Sequence, residues 1–187
     1  MTLLFEFFKN FYCLTKEAEM SVQEISKVIS LKKNDELQPM GHTCKTVYFI
    51  NKGIARIHYF KDGNDITESF AFKNQVIARI ESLFTGKPSR KAIQILEDAE
   101  IVAIDATKLF KLYDKYPEIE RLFKKIFERS YVDLVNRIEG IQFHSAEERY
   151  KALINDAPEV LKKIPLKYIA SYLGITQVSL SRIRALR

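Results

Sequence analysis

The apolar residues of this chain change their spacing near residue 104, and that change sets the class of fold. Between residues 29 and 104 they form short alternating runs: VYFIN, IARIHYF, ITESFAF, KAIQIL and AEIVAI. Turn-forming residues separate these runs, in NKG at 51–53, KDGN at 61–64 and TGKP at 85–88. Several short strands at this spacing predict an antiparallel β-barrel or jelly roll.

A long stretch of helical spacing follows. Residues 106–113 predict a short helix, and Pro117 begins a second helix that extends to about residue 142. A helix of about seven turns is longer than a small barrel needs for cover. We expect it to connect two domains and to form a dimer seam; the alternative is that it packs only on its own barrel. Its apolar positions are Ile119, Leu122, Phe123, Ile126, Phe127, Tyr131, Leu134, Ile138 and Ile141.

The first thirty residues also have helical spacing, with Ser21 as a candidate cap. The opening MTLLFEFFKN is apolar, but Glu6 interrupts it and no basic segment precedes it, so it predicts neither a signal peptide nor a membrane span. We therefore expect a cytoplasmic protein with no membrane partner. Cys13 and Cys44 are too few for a four-thiolate cluster and are expected to be reduced thiols. The three histidines show no metal-ligand spacing, and no metal site is predicted.

The net positive charge of the chain comes from its last 28 residues. The whole chain has 30 Lys and Arg against 24 Asp and Glu. The segment 160–187 contains no acidic residue, and its six basic residues equal that excess of 30 − 24 = 6: Lys162, Lys163, Lys167, Arg182, Arg184 and Arg187. Such an end is suited to a polyanion, because phosphate neutralisation supplies most non-specific affinity for nucleic acid.

The same segment has the pattern of a helix-turn-helix. Ile169, Ala170 and Leu173 put small and apolar side chains on one face of a short helix, and a glycine at 174 can take the positive φ that ends it. Thr176 can then cap a second helix, in which apolar residues at 180 and 183 face inward. Two helices joined by a tight turn set a recognition helix into the major groove. The alternative is an ordinary helical hairpin with a solvated basic end.

The residue types on the outer face fit DNA. Gln177 can pair with an adenine edge, Arg182 with guanine and Val178 with a thymine methyl. The hydroxyl side chains and the other basic side chains can bind phosphates. The full set of candidate DNA-binding residues is Lys167, Thr176, Gln177, Val178, Ser179, Ser181, Arg182 and Arg184.

The predicted architecture is α+β. A jelly-roll-like antiparallel β-roll with flanking helices occupies residues 1–115 as a sensor domain. A long dimerisation helix follows at 116–143, and an all-α helix-turn-helix domain occupies 144–187. Gly140 and the segment FHS at 143–145 predict a hinge between the last two.

This order of parts resembles the Crp/Fnr superfamily of bacterial transcription regulators over nearly the whole chain. The segment IPLKYIASYLGITQVSLSRIRAL is similar to Bacteroidetes-type members. The resemblance implies a homodimer on a palindromic operator, with RNA polymerase as a partner. It also implies that residues at the positions of Gln177, Val178 and Arg182 approach bases, and that those at the positions of Thr176 and Ser179 approach phosphate.

The resemblance further implies an effector site in the β-roll. Cyclic-nucleotide-binding members carry a Gly-Glu pair, a short helix and then Pro-Arg, with the Glu on the ribose and the Arg on the cyclic phosphate. Here Glu81 and Arg90 have the usual spacing, but Ile80 replaces the glycine and Ser89 separates Pro88 from the arginine.

The departures leave the ligand of this cassette open. Arg90 can clamp a phosphate through its forked donors, and the alternative is an arginine at the surface or in an ion pair. We expect Arg79 to compete by pairing with Glu81, and Ile80 to hinder close approach of a sugar. A cyclic nucleotide is one candidate ligand, and no other cofactor is predicted. The candidate effector-binding residues are Glu81, Ser82, Ser89 and Arg90.

Two classes of function fit these observations. The first is a dimeric, sequence-specific DNA-binding transcription regulator whose β-roll senses an effector. The alternative is a ligand-binding regulatory module, for a cyclic nucleotide or another small anion, that acts on a protein partner without specific DNA binding. An enzyme is not expected, since no Ser/His/Asp order, phosphate loop or metal-ligand cluster is present.

Overall fold

A computed structural model describes residues 1–158 and 160–185. Two helices open the chain, α1 (Thr2–Lys9) and α2 (Lys16–Glu24). Thr15 caps α2 by accepting a hydrogen bond from the backbone N–H of Ala18 at 3.3 Å. The prediction of helix through residue 30 was wrong at its end, and Ser21 lies inside α2 rather than at its cap. The segment SKVISL forms a strand because it can pair with a partner strand far along the chain.

The β-roll is one antiparallel sheet. Its strands are β1 (Ser26–Leu31), β2 (Glu36–Gln38), β3 (Thr46–Lys61), β4 (Asn64–Ala71), β5 (Val76–Ile77) and β6 (Ala92–Asp105). The sheet order is β1-β6-β3-β4, with β2 paired to β6 and β5 paired to β3. The predicted fold class, an antiparallel β-roll with flanking helices, a long helix and C-terminal helices, is confirmed. In this order β4 is the last strand of the path.

Two pairs of predicted strands are single long strands. VYFIN and IARIHYF both belong to β3, and KAIQIL and AEIVAI both belong to β6. NKG at 51–53 is therefore an irregularity inside β3, where the register against β6 shifts. Gly53 has φ +97°, and a Cβ there would lie 2.7 Å from the Cβ of Ala99. Glycine at this position lets the two strands approach each other, and the chain continues without turning.

The other two predicted turns are confirmed. Asp62 and Gly63 both have positive φ, 50° and 75°, between β3 and β4. Two such residues form the type of turn that matches the twist of a two-strand hairpin. The second turn follows the short helix α3 (Ile80–Thr85), which ends at Gly86 in the left-handed region with φ 69°.

The long helix lies in two environments. After α4 (Ala106–Lys115), the long helix α5 spans Pro117–Phe143. Its first half is buried against α1, where Leu4 and Phe8 are also buried; the buried residues of α5 are Ile119, Leu122, Phe123 and Ile126. Its second half carries exposed apolar side chains. The helix therefore belongs to the β-roll at one end and leaves it at the other.

The C-terminal helices are α6 (Ala146–Asp156), α7 (Val160–Lys163), α8 (Leu166–Leu173) and α9 (Gln177–Ala185). Helix α5 continues through Gly140, so the predicted hinge is reduced to a break at His144 and Ser145. Ser145 and Glu148 form a capping box that fixes the start of α6. These helices share a core with the side chains of Ile54 and Leu96 from the β-roll. Across 1–158 and 160–185, no helix combines the length and the apolar character that a bilayer crossing requires.

Candidate nucleic-acid interface

Helices α8 and α9 form the predicted helix-turn-helix. Gly174 ends α8 in the left-handed region, with φ 69° and ψ 32°. Thr176 caps α9, since its Oγ1 accepts the backbone N–H of Ser179 at 3.1 Å. Leu180 is fully buried, and Ile183 packs against the same core. The glycine, the cap and the inward residues all lie where the sequence predicts them.

The candidate DNA-binding side chains lie on the outer surface of this hairpin. Ser179 is half-buried, and its hydroxyl lies 3.0 Å from the Thr176 hydroxyl at the cap. The other candidates are exposed: Lys167, Thr176, Gln177, Val178, Ser181, Arg182 and Arg184. The outer face of α9 is therefore accessible to a partner. Arg187, the last basic residue of the tail, lies outside the described residues.

Two arginines from neighbouring helices bind the C-terminal end of α8. Arg137 of α5 donates from Nη2 to the carbonyl of Tyr172 at 2.8 Å and lies over the Tyr172 ring at 3.8 Å. Arg149 of α6 donates to the carbonyl of Leu173 from Nε at 3.2 Å and from Nη2 at 3.0 Å. Because the last carbonyls of a helix lack intrahelical partners and carry partial negative charge, these cations stabilise the end of α8. They also fix the hairpin relative to α5.

The opposite side of α8 is bound to the edge of the β-roll. The hydroxyl of Ser171 accepts the backbone N–H of Thr67 at 2.8 Å and donates to the carbonyl of Asp65 at 3.3 Å. Both backbone groups belong to β4, the last strand of the sheet path. One side-chain hydroxyl therefore satisfies two polar groups that this edge strand would otherwise present unpaired.

A buried arginine stands at the same junction. Arg56 of β3 is 1% exposed, and its guanidinium carbon lies 3.6 Å from the centre of the Tyr168 ring in α8. Nη1 and Nη2 donate to the two carboxylate oxygens of Asp65 at 2.8 and 2.6 Å. Nε donates to Gln94 at 2.9 Å, and Nη1 also donates to Thr67 at 3.0 Å. A buried charge is tolerated here because every side of the guanidinium has a partner.

The electrostatics of the junction follow from these contacts. Burial disfavours the charged form of Asp65, but the hydrogen bonds and charge of Arg56, with a contribution from Lys167, hold the pKa of its carboxyl below 3.8. Burial and the charge of Arg56 lower the pKa of His58 from 6.5, although Nδ1 of His58 lies 3.3 Å from the Asp65 carboxylate. At neutral pH, Asp65 is therefore ionised and His58 is neutral.

The candidate effector residues are divided between the surface and the interior. Glu81 and Arg90 are both exposed, and no hydrogen bond or ion pair joins them within the described chain. Ser82 is buried; its Oγ accepts the N–H of Cys44 at 2.9 Å and donates to the carbonyl of Lys87 at 2.5 Å. Both of these charged side chains are open to solvent, and their assignment to an effector stays a prediction.

A different ion-pair cluster lies beside the cassette. Arg79 is buried and pairs with Glu68 at 3.3 Å, so the predicted pairing of Arg79 with Glu81 was wrong. The reason is geometric: residue 79 precedes α3 and points into the roll, whereas residue 81 lies on the exposed side of that helix. Lys91 also binds the Glu68 carboxylate, and Nε of Arg79 donates to Ser89 at 3.3 Å. Two cations, Arg79 and Lys91, therefore share the carboxylate of Glu68 beside the cassette.

The second half of α5 presents an apolar stripe, while Val132 and Phe143 are exposed on the other side of the helix. Tyr131, Leu134, Ile138 and Ile141 are about half exposed or more, at 68%, 50%, 47% and 51%. Their spacing of three, four and three residues puts them on a single face of the helix. Both cysteines lack a disulfide, Cys13 at the surface and Cys44 in the interior. No cluster of metal-ligating side chains occurs in the parts of the chain that the structure describes.

Comparison with known proteins agrees with this architecture. Residues 28–116 match the family model of the cyclic nucleotide-binding domain. No curated protein sequence matches the chain. The Crp/Fnr-type fold expected from the sequence is confirmed, while its Bacteroidetes type stays a prediction.

Three solved structures illustrate the similarity. FixK2 from Bradyrhizobium japonicum superposes with a TM-score of 0.74 at 17% identity, over 87% of this chain and 84% of that one. A protein of Eubacterium rectale described as a transcriptional regulator of the Crp/Fnr family gives 0.71 at 17% identity, over 91% and 82%. Catabolite Activator Protein of Thermus thermophilus gives 0.58 at 16% identity, over 94% and 84%. At 16–17% identity, these similarities show a shared fold.

Proposed function

We propose that this protein is a dimeric transcription regulator that binds a specific DNA sequence through α8 and α9. The observation that carries the proposal is the outer face of α9, where base-reading side chains are exposed on a capped helix with no acidic residue nearby in the tail. Gln177 and Arg182 have the donors and acceptors that read adenine and guanine. Lys167, Thr176 and Ser179 are assigned to phosphates, which position the helix in the groove.

The stripe on α5 supports a homodimer. Four apolar side chains at three- and four-residue spacing form the seam of a two-helix coiled coil. A second copy of the same stripe satisfies a two-fold axis, because a two-fold interface uses the same patch on both partners. Two hairpins related by such an axis read a palindrome whose half-sites lie one helical turn apart.

The β-roll is assigned a sensory role. Its residues 28–116 match the cyclic nucleotide-binding domain family, and α5 connects it to the hairpin through Arg137. A cyclic nucleotide or another small anion acts by binding more tightly to one arrangement of the hairpin relative to the β-roll than to another. It thereby shifts the populations of the two arrangements. RNA polymerase is the expected partner of the DNA-bound dimer. Titration calorimetry with cyclic AMP and cyclic GMP tests the nucleotide part of this assignment, and absence of heat with both removes it.

Selection from a random-sequence DNA pool tests the central proposal. Bound sequences are enriched over several rounds, and the enriched site is compared with a scrambled duplex by fluorescence anisotropy at rising salt. We expect a palindromic site, preference for it at physiological salt, and a log–log salt slope of about −0.9 for each phosphate contact. Equal affinity for the selected and scrambled duplexes contradicts sequence-specific binding and favours the module that acts on a protein partner.

A further inference from the structure

The β-roll holds a second buried arginine, whose contacts differ from those of Arg56. Arg79 is 5% exposed; its Nη1 lies 3.3 Å from a carboxylate oxygen of Glu68, and its Nε donates to Ser89 at 3.3 Å. Charge-assisted bonds between a guanidinium and a carboxylate are usually about 2.7–2.9 Å long and often forked. Arg56 makes such a forked pair with Asp65, at 2.8 and 2.6 Å. Arg79 makes one long contact with its carboxylate instead, so its forked set of donors is incompletely used.

The charges around Arg79 do not balance. Lys91 also binds the Glu68 carboxylate, and among the described residues neither cation bonds to another acidic side chain. Ser89 holds the two cations next to each other, because its hydroxyl accepts the Nε–H of Arg79 and also the backbone N–H of Lys91 at 3.1 Å. Two positive charges therefore share one negative charge at a place largely removed from water. An incompletely paired charge in such surroundings favours a bound anion.

Glu68 lies at an irregularity of β4. The pairing of β4 with β3 passes from Ser69 opposite Ile57 to Thr67 opposite His58, which leaves Glu68 as the extra residue of a β-bulge. A bulge re-aims a side chain and is common next to functional sites. The side chain of Glu68 is 30% exposed, so its carboxylate can turn to solvent when another anion takes its place.

We propose that Arg79, Lys91 and Ser89 form a site for a small dianion, a phosphate monoester or a dicarboxylate, and that Glu68 fills this site as an internal ligand. The proposal rests on the proposed function, because it names the effector class of the sensory β-roll. Without the Glu68 carboxylate the site holds two positive charges, which a dianion neutralises. A carboxylate attached to the chain has a high effective concentration, so a monoanion gains nothing by replacing it. A cyclic nucleotide carries a single phosphodiester charge and is therefore a poor competitor.

Thermal unfolding of the full-length protein measures binding at this site without DNA. The probes are glycerol phosphate and succinate as dianions, and acetate and cyclic AMP as monoanions, all at one ionic strength. A ligand of the folded protein at ten times its dissociation constant raises the midpoint by about 3–6 °C in a chain of this size. We expect a rise of this size in the wild type with a dianion and none with either monoanion. A response to glycerol phosphate alone, or to succinate alone, identifies which kind of dianion the site takes.

Substitutions locate the response. Glu68→Ala removes the internal ligand and leaves space for a carboxymethyl group, so we expect acetate to stabilise this variant and dianions to bind about tenfold or more tightly. Glu6→Ala, at an exposed carboxylate of α1, is its control.

Loss of one cation is expected to abolish the response to dianions. Arg79→Gln removes the buried cation; Lys91→Gln, at a side chain that is 32% exposed, keeps the test decisive if the first variant does not fold. Lys87→Gln, at an exposed lysine of the same segment, is the matched control and should respond as the wild type does. A response that survives in Lys91→Gln, or that Lys87→Gln loses equally, overturns the proposed site. So does equal stabilisation of the wild type by dianions and monoanions. Acetate that stabilises Glu68→Ala no more than Glu6→Ala overturns the role of Glu68 as an internal ligand.

A second measurement separates this site from the DNA-binding proposal. The affinity for the selected duplex is measured at constant ionic strength with and without the dianion that stabilises the protein. We expect a change of about fivefold or more in the wild type, the lower range of coupling between two sites, and no change in Lys91→Gln. Unchanged affinity in the wild type overturns the effector role of the site. If no form of the protein prefers the selected duplex, the proposed function fails, while thermal unfolding still decides whether the dianion site exists.

Discussion

Arg56 and Tyr168 join the β-roll to the helix-turn-helix, with the guanidinium carbon of Arg56 3.6 Å from the centre of the Tyr168 ring. The first residue lies in the middle of β3 and the second lies in α8, so a cation from the β-roll packs on an aromatic residue from the helix-turn-helix. Such a pair contributes most where water is excluded, and Arg56 is almost fully buried.

Arg56→Lys is expected to destabilise the protein by about 1–3 kcal/mol. Lysine keeps the charge but cannot make the forked pair with Asp65 or stack flat on Tyr168. Urea unfolding followed by circular dichroism measures the loss. Arg129→Lys, in an exposed pair with Asp133, is the control and should change the free energy of unfolding by less than about 0.5 kcal/mol. Equal effects of the two substitutions contradict the role given to the buried guanidinium.

Arg182→Ala is expected to relax base preference at one position of each half-site by about 1–3 kcal/mol. Lys167→Ala is expected to weaken binding to all sequences alike and to reduce the salt slope by about one contact. Anisotropy titrations against single-base variants of the selected duplex distinguish the two. A uniform loss for Arg182→Ala makes that residue a phosphate contact instead.

Leu134→Glu is expected to dissociate the dimer, because it places a charge at the centre of the apolar stripe on α5. Asn136→Glu is the matched control, since residue 136 is exposed on the same helix but about 200° around it from residue 134. Sedimentation velocity measures the mass of each form. A monomeric wild type, or a dimeric Leu134→Glu, refutes the α5 seam.

The lowered pKa of His58 predicts a loss of folding stability on acidification. Its pKa is lowered by burial and by Arg56, while Asp65 and Glu36 act in the opposite sense. The folded state therefore favours the neutral imidazole ring of His58. The folding stability that the neutral ring contributes is present above about pH 6.5, the ordinary pKa of histidine. It is lost as the pH falls through the lowered pKa. The midpoint of urea unfolding should fall less between pH 7.5 and 5 in His58→Gln than in wild type. His42→Gln, at an exposed histidine, is the control for loss of an imidazole, and an equal effect of the two substitutions contradicts the role given to His58.

Gly53→Ala is expected to cost several kcal/mol, because its Cβ would lie 2.7 Å from the Cβ of Ala99 and 2.9 Å from the carbonyl oxygen of Asp98. Gly63→Ala has a similar positive φ with open space around the new Cβ, so only the left-handed strain of about 1–2 kcal/mol remains. Thermal unfolding of both variants gives the comparison. Equal losses would show that backbone strain, and not the approach of β6, explains Gly53.

Local patterns predicted most of the helix-turn-helix and the long helix. Glycine 174, the Thr176 cap and the inward Leu180 act within a few residues of one another, so their geometry is set by the nearby sequence. The continuity of β3 was not predictable in the same way. NKG is a good turn sequence, and only the pairing of β3 with β6 holds it extended.

The junction between the domains was missed for a related reason. Arg56 is one charged residue in an alternating run, and nothing local assigns it partners from β4, β6 and α8. Ile25 and Ile29 have the spacing of a helix, but spacings of three and four residues between apolar positions also occur by chance in a strand. A strand that pairs with residues 68 to 78 positions away leaves no local trace of its partner.

The attachment of Ser171 to β4 has a consequence for association between copies of the chain. Without α8, the backbone groups of Asp65 and Thr67 would be an open template for strand addition by another chain. The hydroxyl that fixes the helix-turn-helix on the sheet therefore also guards this strand edge against aggregation.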